Sequence, residues 1–169
     1  MRLTTFTDFA LRTLMRLAGE PQRLFKTDEI AREFGISRNH LAKVIQELAL
    51  SGYIVTQRGA GGGFRLAKDA DQITLGDVVR ALEVRHPMVE CFREDGGNCV
   101  LTPQCRLRGR LAAAREAFLR ELDGTTLADC VYPDLFSVFA PELAGAGEPV
   151  LDCYVPETVS ADGSPLIES

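Results

Sequence analysis

Three cysteines in the middle of the chain have the type and spacing best suited to chemistry. Cys91, Cys99 and Cys105 lie within fifteen positions, and thiolates are preferred ligands of zinc and of iron–sulfur clusters. The sequence lacks the close Cys-x-x-Cys pairs typical of structural zinc sites, which weakens a zinc interpretation. His86 is the nearby imidazole that could complete such a site. Spacing alone leaves an iron–sulfur cluster, a zinc ion and unliganded thiols open.

The cysteine count and the hydropathy pattern bear on the compartment. The chain has five cysteines, an odd number, and Cys130 and Cys153 show no partner spacing. No stretch is apolar enough for a membrane span or a signal peptide, so we expect a cytoplasmic protein without a disulfide framework and without a membrane partner. The chain offers no nucleophile–base pair at recognisable spacing, and we do not expect an enzyme.

The chain begins with three predicted helices. They are the first of the elements that must position the cysteines. Apolar residues recur at helical spacing from Thr5 to Ala18. Thr27 is expected to cap a second helix that ends at Gly35, and Ser37 to cap a third that runs to Leu50. Two helices around a turn that contains glycine predict a helix-turn-helix.

A predicted β-hairpin follows the third helix and forms a wing. Its strands, Tyr53–Gln57 and Phe64–Ala67, are rich in strand-forming residues and flank the glycine run Gly59–Gly63. A phosphate-binding loop is rejected because such a loop should open a helix, whereas a strand follows here. Arg58 at the base of the hairpin is expected to enter a minor groove.

The outward face of the third helix carries residue types that read bases. Asn and Gln can pair with adenine, and Lys can reach guanine or phosphate. Residues at the start of the helix suit phosphates. The predicted DNA-binding residues are Ser37, Arg38, Asn39, His40, Lys43, Gln46 and Arg58.

The charge distribution agrees with this placement, although the formal net charge of the chain is −5. Residues 1–68 carry 11 Lys and Arg and 6 Asp and Glu, whereas residues 69–169 carry 8 and 18. The net charges of the two parts are therefore +5 and −10. Because the local field steers association, a basic first part fits a nucleic-acid partner.

The second half is predicted to hold a short helix, a loop and a long helix. Thr74 caps the short helix within Ile73–Leu82, and the loop Glu83–Val100 contains two of the three cysteines. Thr102–Pro103 is expected to open the long helix, which ends at Asp123. The third cysteine would then lie about one turn inside that helix.

The apolar stripe of the long helix exceeds what a small wing domain needs to cover. We therefore expect part of it to pack against the same helix of a second subunit, giving a homodimer. The stripe consists of Leu107, Leu111, Ala114, Phe118 and Leu122.

The last part of the chain is acidic and rich in proline. Thr126–Asp129 is a capping-box variant that opens one short helix. Beyond Tyr132 there are seven acids, five prolines and no Lys or Arg, so disorder is expected from about Pro141.

The predicted fold is mainly α with a small β-hairpin. It comprises a winged helix-turn-helix DNA-binding domain (1–82), a cysteine loop with a dimerisation helix (83–131) and a tail (132–169).

Four segments carry a resemblance to a known family: MRLTTFTDFALR at the start, ISRNHLAKVI from Ile36, RGAGGGFRL from Arg58, and the cysteine triplet. Over residues 1–131 the chain resembles the bacterial iron–sulfur winged-helix regulators that include NsrR, IscR and RirA. Within that family, Thr7–Asp8, Ser37–His40 and Leu122–Asp129 are most similar to the nitric-oxide-sensing repressors. The seven residues between the first two cysteines are also similar to iron-responsive members.

The resemblance implies a homodimer with one iron–sulfur cluster per subunit, [4Fe-4S] by preference or [2Fe-2S]. Its ligands would be Cys91, Cys99, Cys105 and Asp8 of the partner subunit. From position alone, Asp8 is an acid that compensates a helix dipole. The implied function is a repressor that binds a double-stranded operator under control of a nitric-oxide-sensitive cluster. The alternatives are control by iron or redox state, and a zinc-stabilised winged helix used for protein contact.

Overall fold

The computed structural model of the chain describes residues 3–59, 61–101 and 104–131. The predicted tail, including Cys153 and the segment from Pro141, lies outside the described residues. Among the described residues, no helix combines the length and apolar character that crossing a bilayer requires.

Three helices form the first half of the structure. They are α1 (Thr5–Gly19), α2 (Thr27–Glu33) and α3 (Arg38–Leu50). Gly35 lies between α2 and α3 with a φ of 63°, a left-handed conformation that glycine adopts without strain. The backbone N–H of Ile36 then donates to the carbonyl of Ala31 at 2.9 Å. The glycine turn thus joins the two helices of a helix-turn-helix, as predicted.

The predicted cap of α2 is wrong by one residue. Thr27 is the first residue of the helix, and Lys26 takes the cap position without a side-chain hydrogen bond to the helix. The reason is non-local, because Phe25 pairs with Phe64 in an antiparallel bridge. The chain turns from that bridge directly into the helix, and the carbonyl of Lys26 accepts from Glu29 N–H at 3.1 Å.

The wing is an antiparallel hairpin of β1 (Ile54–Gln57) and β2 (Gly63–Leu66). Phe25 extends it by one residue, because Phe25 and Phe64 exchange both backbone hydrogen bonds at 2.9 Å. A Cβ atom on Gly63 would lie 2.5 Å from the carbonyl oxygen of Phe25. Glycine at this position therefore permits the close approach of the two backbones.

Two further helices complete the described chain: α4 (Leu75–Glu83) and α5 (Arg106–Asp123). The predicted cap of α4 is confirmed, because the Thr74 hydroxyl accepts from Asp77 N–H. The predicted start of α5 is wrong. This helix begins at Arg106 with Cys105 in the extended cap position, so that cysteine precedes the helix instead of lying one turn inside it. Thr102 and Pro103 lie outside the described residues.

Residues from α1, α2, α3, the wing and α4 form one apolar core, and α5 contributes little to it. Leu119 is the one buried residue recorded in α5, whereas Leu107 is 62% exposed. The C-terminal part of α5 is fixed to α4 by Arg80, whose guanidinium donates to both carboxylate oxygens of Asp123. Among the other stripe residues, Ala114 is exposed, and Leu111, Phe118 and Leu122 are half-buried.

A capping box follows α5, as predicted. Thr126 N–H donates to Asp129 Oδ2 at 2.8 Å, and Asp129 N–H returns a bond to the threonine hydroxyl at 3.4 Å. It opens the short 3-10 helix Ala128–Cys130. Within the described ranges, five α-helices and one two-stranded hairpin confirm the predicted fold class, mainly α with a small wing.

Candidate nucleic-acid interface and metal centre

Helix α3 has one buried face and one exposed face, and the two differ in chemistry. Leu41, Val44 and Leu48 are fully buried against the core. The polar residues predicted to contact DNA are exposed on the opposite side, and Arg58 is exposed beside the wing. The exposed set is Ser37, Arg38, Asn39, His40, Lys43, Gln46 and Arg58. The structure therefore places all the predicted DNA-binding side chains where a duplex can reach them.

The start of α3 is held by two side-chain contacts. The Ser37 hydroxyl accepts from His40 N–H at 3.2 Å, which caps the helix. The Arg38 guanidinium donates to Asp28 of α2 at 2.7 Å, and both side chains are more than 60% exposed. Because exposed ion pairs are weak, Arg38 can exchange this carboxylate for a phosphate at little cost.

Helix α1 contacts the exposed end of α3 through an aromatic pair that the sequence did not indicate. The Phe9 ring meets the His40 imidazole edge to face, with 5.3 Å between ring centroids. Thirty-one positions separate these residues, so no local pattern reports the contact. A shift of the first turns of α1 would move His40 directly.

Two of the three predicted cysteine ligands face one cavity. Cys91, in the short 3-10 helix Glu90–Phe92, and Cys105, at the cap of α5, both line a surface cavity of about 730 Å³. Arg93, Arg106 and Arg108 line the same cavity. Cys99 is half-buried in the loop and does not line it.

The loop brings the neighbours of the first two cysteines together. Glu90 Oε1 accepts from Asn98 N–H at 2.9 Å, so the residues beside Cys91 and Cys99 are joined across eight positions. Within the part of the chain that the structure describes, no three His, Cys, Asp or Glu side chains meet as a metal site. His86 lines a different cavity, with Thr4 and Glu83, so it does not complete a site with Cys91 and Cys105.

The donor set itself fits a thiolate-bound metal centre. Cys91, Cys99 and Cys105 are free and half-buried, which leaves each sulfur available as a ligand. Three thiols from one loop suit soft metals and iron–sulfur clusters.

Asp8, the fourth predicted ligand, lies on the first turn of α1 with its side chain 43% exposed. Its two carboxylate oxygens each contact the Arg12 guanidinium at 3.0 Å. The spacing of four residues on a helix could have predicted this pair. The carboxylate is thus neutralised within its own chain, in a position open to a second subunit.

Glu83 is a buried acid that sequence reasoning did not single out. Only 7% of it is exposed, at the last position of α4. A signal was available, because an acid at the C-terminus of a helix opposes the helix dipole and needs another reason to be there. That reason is a contact with the start of α1, where Glu83 Oε1 accepts from Thr4 N–H at 2.8 Å.

The helix-turn-helix, the wing and the exposed polar face of α3 define a winged helix-turn-helix DNA-binding protein. The model of the Rrf2 family, described as iron-dependent transcriptional regulator, matches residues 3–133. A Geobacillus kaustophilus (strain HTA426) protein named HTH-type transcriptional regulator NsrR is 49% identical over 130 residues. That match covers 76% of this chain and 88% of that protein. The chain belongs to the Rrf2 family of transcriptional regulators, and the predicted resemblance is confirmed.

Solved structures agree with this assignment. The oxidized form of CymR from Staphylococcus aureus has a TM-score of 0.59 and 28% identity, over 76% of this chain and 94% of that one. IscR from T. potens has a TM-score of 0.58 and 22% identity, over 88% and 94% of the two chains. At that lower identity the likeness bears on the fold alone.

Proposed function

We propose that the protein is a homodimeric repressor whose operator binding is controlled by a nitric-oxide-sensitive iron–sulfur cluster. One observation carries the proposal. The match to the Rrf2 family spans residues 3–133, so it includes α3 and all three cysteines of the loop. The 49% identity to a protein named NsrR favours nitric oxide over iron or redox state as the signal.

In this proposal the two α3 helices of the dimer enter successive major grooves of a roughly palindromic operator. Helix-turn-helix dimers place their reading helices about 34–36 Å apart, one turn of DNA. Asn39, Lys43 and Gln46 then face base edges, and Ser37 and Arg38 face the phosphate backbone. Arg58, at the base of the wing, then enters the minor groove.

The dimer interface in this proposal is the apolar stripe of α5. Leu107 is 62% exposed, and Ala114 on the same stripe is exposed as well. Covering such a stripe with a second copy removes apolar surface from water, at roughly 25 cal/mol per Å². The two-fold arrangement makes the contact self-complementary.

Cys91, Cys99 and Cys105 would hold the cluster, together with Asp8 of the partner subunit. When bound, the cluster supplies an iron that reacts with nitric oxide. Arg12 competes for the carboxylate of Asp8, because its guanidinium already contacts both oxygens at 3.0 Å. The carboxylate is therefore compensated in either state, by Arg12 or by the metal. Arg12, whose side chain is 51% exposed, keeps contact with water when it loses this partner.

Purification without oxygen, followed by absorption spectra and DNA binding, tests the proposal. The DNA probe is a duplex selected from a randomised library by the wild-type protein as purified. We expect charge-transfer absorption, tight binding to the selected duplex, and loss of both on adding nitric oxide. Spectra unaffected by nitric oxide but lost with an iron chelator would contradict nitric oxide as the signal. A colourless protein that contains zinc would contradict the cluster.

Asp8→Ala tests the fourth ligand, with Asp77→Ala as its matched control. Both residues are exposed acids in the first turn of a helix, and each lies near an arginine of its own helix. We expect faster cluster loss in Asp8→Ala and wild-type behaviour in Asp77→Ala. Equal cluster lifetimes in both variants would remove Asp8 from the ligand set.

A further inference from the structure

The buried carboxylate of Glu83 caps the beginning of α1. Its Oε1 accepts from the backbone N–H and from the hydroxyl of Thr4, each at 2.8 Å. The Thr4 hydroxyl in turn caps α1 by accepting from Thr7 N–H at 3.2 Å. A carboxylate here faces the positive end of the α1 dipole, which favours its charged form.

The protonation state of Glu83 agrees with these contacts. Burial alone would raise the pKa of this carboxyl, but the hydrogen bonds from Thr7 and Thr4 outweigh burial and lower it. A buried carboxylate held ionised by several donors is a fixed point in a structure. The start of α1 is thus tied to the end of α4 by a charged contact.

This contact lies between the two parts of the candidate metal centre, which are the cysteine loop and the start of α1 with Asp8. Glu83 is the last residue of α4, and the loop that contains Cys91 and Cys99 starts directly after it. Thr4 stands four positions before Asp8 at the start of α1. One residue beyond Asp8, the Phe9 ring lies against His40 of α3.

We propose that Glu83 is a positioning residue that transmits the state of the cysteine loop through the start of α1 to the reading helix α3. This inference rests on the proposed function, because it needs a loop whose state changes with its metal. Movement of the loop acts on Glu83, Glu83 acts on Thr4, and the first turn of α1 moves Phe9 against His40. Without Glu83, the loop would act on α1 and α3 of its own chain more weakly.

The test compares operator affinity with and without the metal in Glu83→Ala and in the wild-type dimer. The probe is the duplex selected by the wild-type protein, and the readout is the ratio of the Kd of metal-free protein to that of protein as purified without oxygen. Couplings between sites usually amount to about 5- to 150-fold. We expect the ratio in Glu83→Ala to fall to about a third of the wild-type value or less, with metal content and absorption spectrum retained.

Asp123→Asn is the matched control for lost stability. It weakens another carboxylate contact of α4, the one with Arg80, and does not touch α1. We expect a lower Tm in both variants, but a reduced affinity ratio in Glu83→Ala alone. A ratio reduced equally in both variants would assign Glu83 a merely structural role and overturn the inference.

Thr4→Val approaches the same contact from the other side and serves if Glu83→Ala does not fold. It removes the hydroxyl bond to Glu83 and leaves the backbone bond, so we expect a smaller drop of the ratio. A ratio equal to wild type in Thr4→Val, or in a folded Glu83→Ala, overturns the inference. If the wild-type protein itself shows a ratio of one, the proposed function fails instead.

Discussion

On the exposed face of α3, single side chains should differ in what they contribute to DNA binding. Gln46 and Lys43 lie one turn of the helix apart, and both are exposed. An amide can form a bidentate pair with one base, whereas an ammonium acts mainly as a point charge toward phosphate. Their substitutions are therefore expected to have different signatures.

Gln46→Ala should weaken binding to the selected duplex by about 1–3 kcal/mol and relax the base preference at one position. Lys43→Ala should weaken binding to all duplexes and reduce the salt dependence by about one counterion. Fluorescence anisotropy at several salt concentrations measures both effects. Gln72→Ala is the control, because Gln72 is an exposed glutamine outside α3. A Gln46→Ala variant with wild-type affinity would argue against α3 as the reading helix.

Sequence reasoning found residues whose role is local and missed those whose role depends on distant parts of the chain. Ser37 and Thr74 were predicted as caps because a hydroxyl three residues before a free N–H is a local arrangement. The contact of Glu83 with Thr4 spans 79 positions. Nothing in the spacing of either residue reports such a contact, since only packing of α4 beside α1 creates it.

At the scale of elements, the wing depends on close approach of its second strand to Phe25. A methyl group on Gly63 would lie 2.5 Å from a backbone oxygen, whereas a methyl group on Gly61 would meet nothing within 4 Å. Gly63→Ala should therefore lower the free energy of unfolding by about 1–3 kcal/mol. Gly61→Ala should change it by less than about 0.5 kcal/mol. Urea denaturation measures both changes in the free energy of unfolding. Equal changes in the two variants would contradict the packing of the wing on Phe25.

The attachment of α5 to α4 should depend on pH. Hydrogen bonds from Arg80 lower the pKa of the Asp123 carboxyl below its ordinary value. A carboxyl with a depressed folded-state pKa stabilises the fold above its unfolded pKa, and this contribution is lost as pH falls through the folded value. Wild type should thus be more stable than Asp123→Asn at pH 7, and the difference should shrink toward about pH 3.

Chemical denaturation of both proteins across this pH range measures the difference. Asp71→Asn, at an exposed acid outside the α4–α5 contact, controls for the general effect of removing a charge. A difference between wild type and Asp123→Asn that grows on acidification would contradict the proposed origin of the pKa shift.

The elements themselves were largely predictable, and the errors lie at helix starts. Hydrophobic periodicity and capping residues predicted the five α-helices of the described chain, of which α1 to α4 bury one face against a common core. Threonine followed by proline is a strong local start signal, so the sequence predicts that α5 starts at Thr102–Pro103. The backbone of Cys105 is extended instead, and the helix begins after it.

At the scale of the whole molecule, the exposed stripe of α5 predicts an oligomer that one substitution can dissociate. Leu107→Glu places a charge in the stripe, and Ala113→Glu places the same charge on another exposed face of α5. We expect Leu107→Glu to weaken the dimer by about 2 kcal/mol, roughly a thirtyfold higher Kd. Sedimentation equilibrium measures this constant. If Leu107→Glu has the dimer Kd of the wild type, or if only Ala113→Glu dissociates, the stripe is not the interface.

The candidate metal centre was only partly predictable from one chain. The sequence predicted two thiols in the loop and a third about one turn inside the long helix, and the structure brings Cys91 and Cys105 to one cavity. Asp8 entered only through the family resemblance, because its own contact is an ordinary ion pair with Arg12. A ligand that a second copy provides leaves no pattern of spacing along the sequence, since two chains have no common register.

The exposed surface of α5 around Leu107 also bears on how such a regulator responds to its own abundance. If the fourth ligand comes from a second copy, a complete metal site exists only in the associated form, and the fraction of complete sites follows mass action. Dilution would then empty sites without any chemical signal. Newly synthesised chains at low copy number would pass through a stage that cannot regulate. The weaker the α5 contact, the more protein a cell must accumulate before its promoters respond.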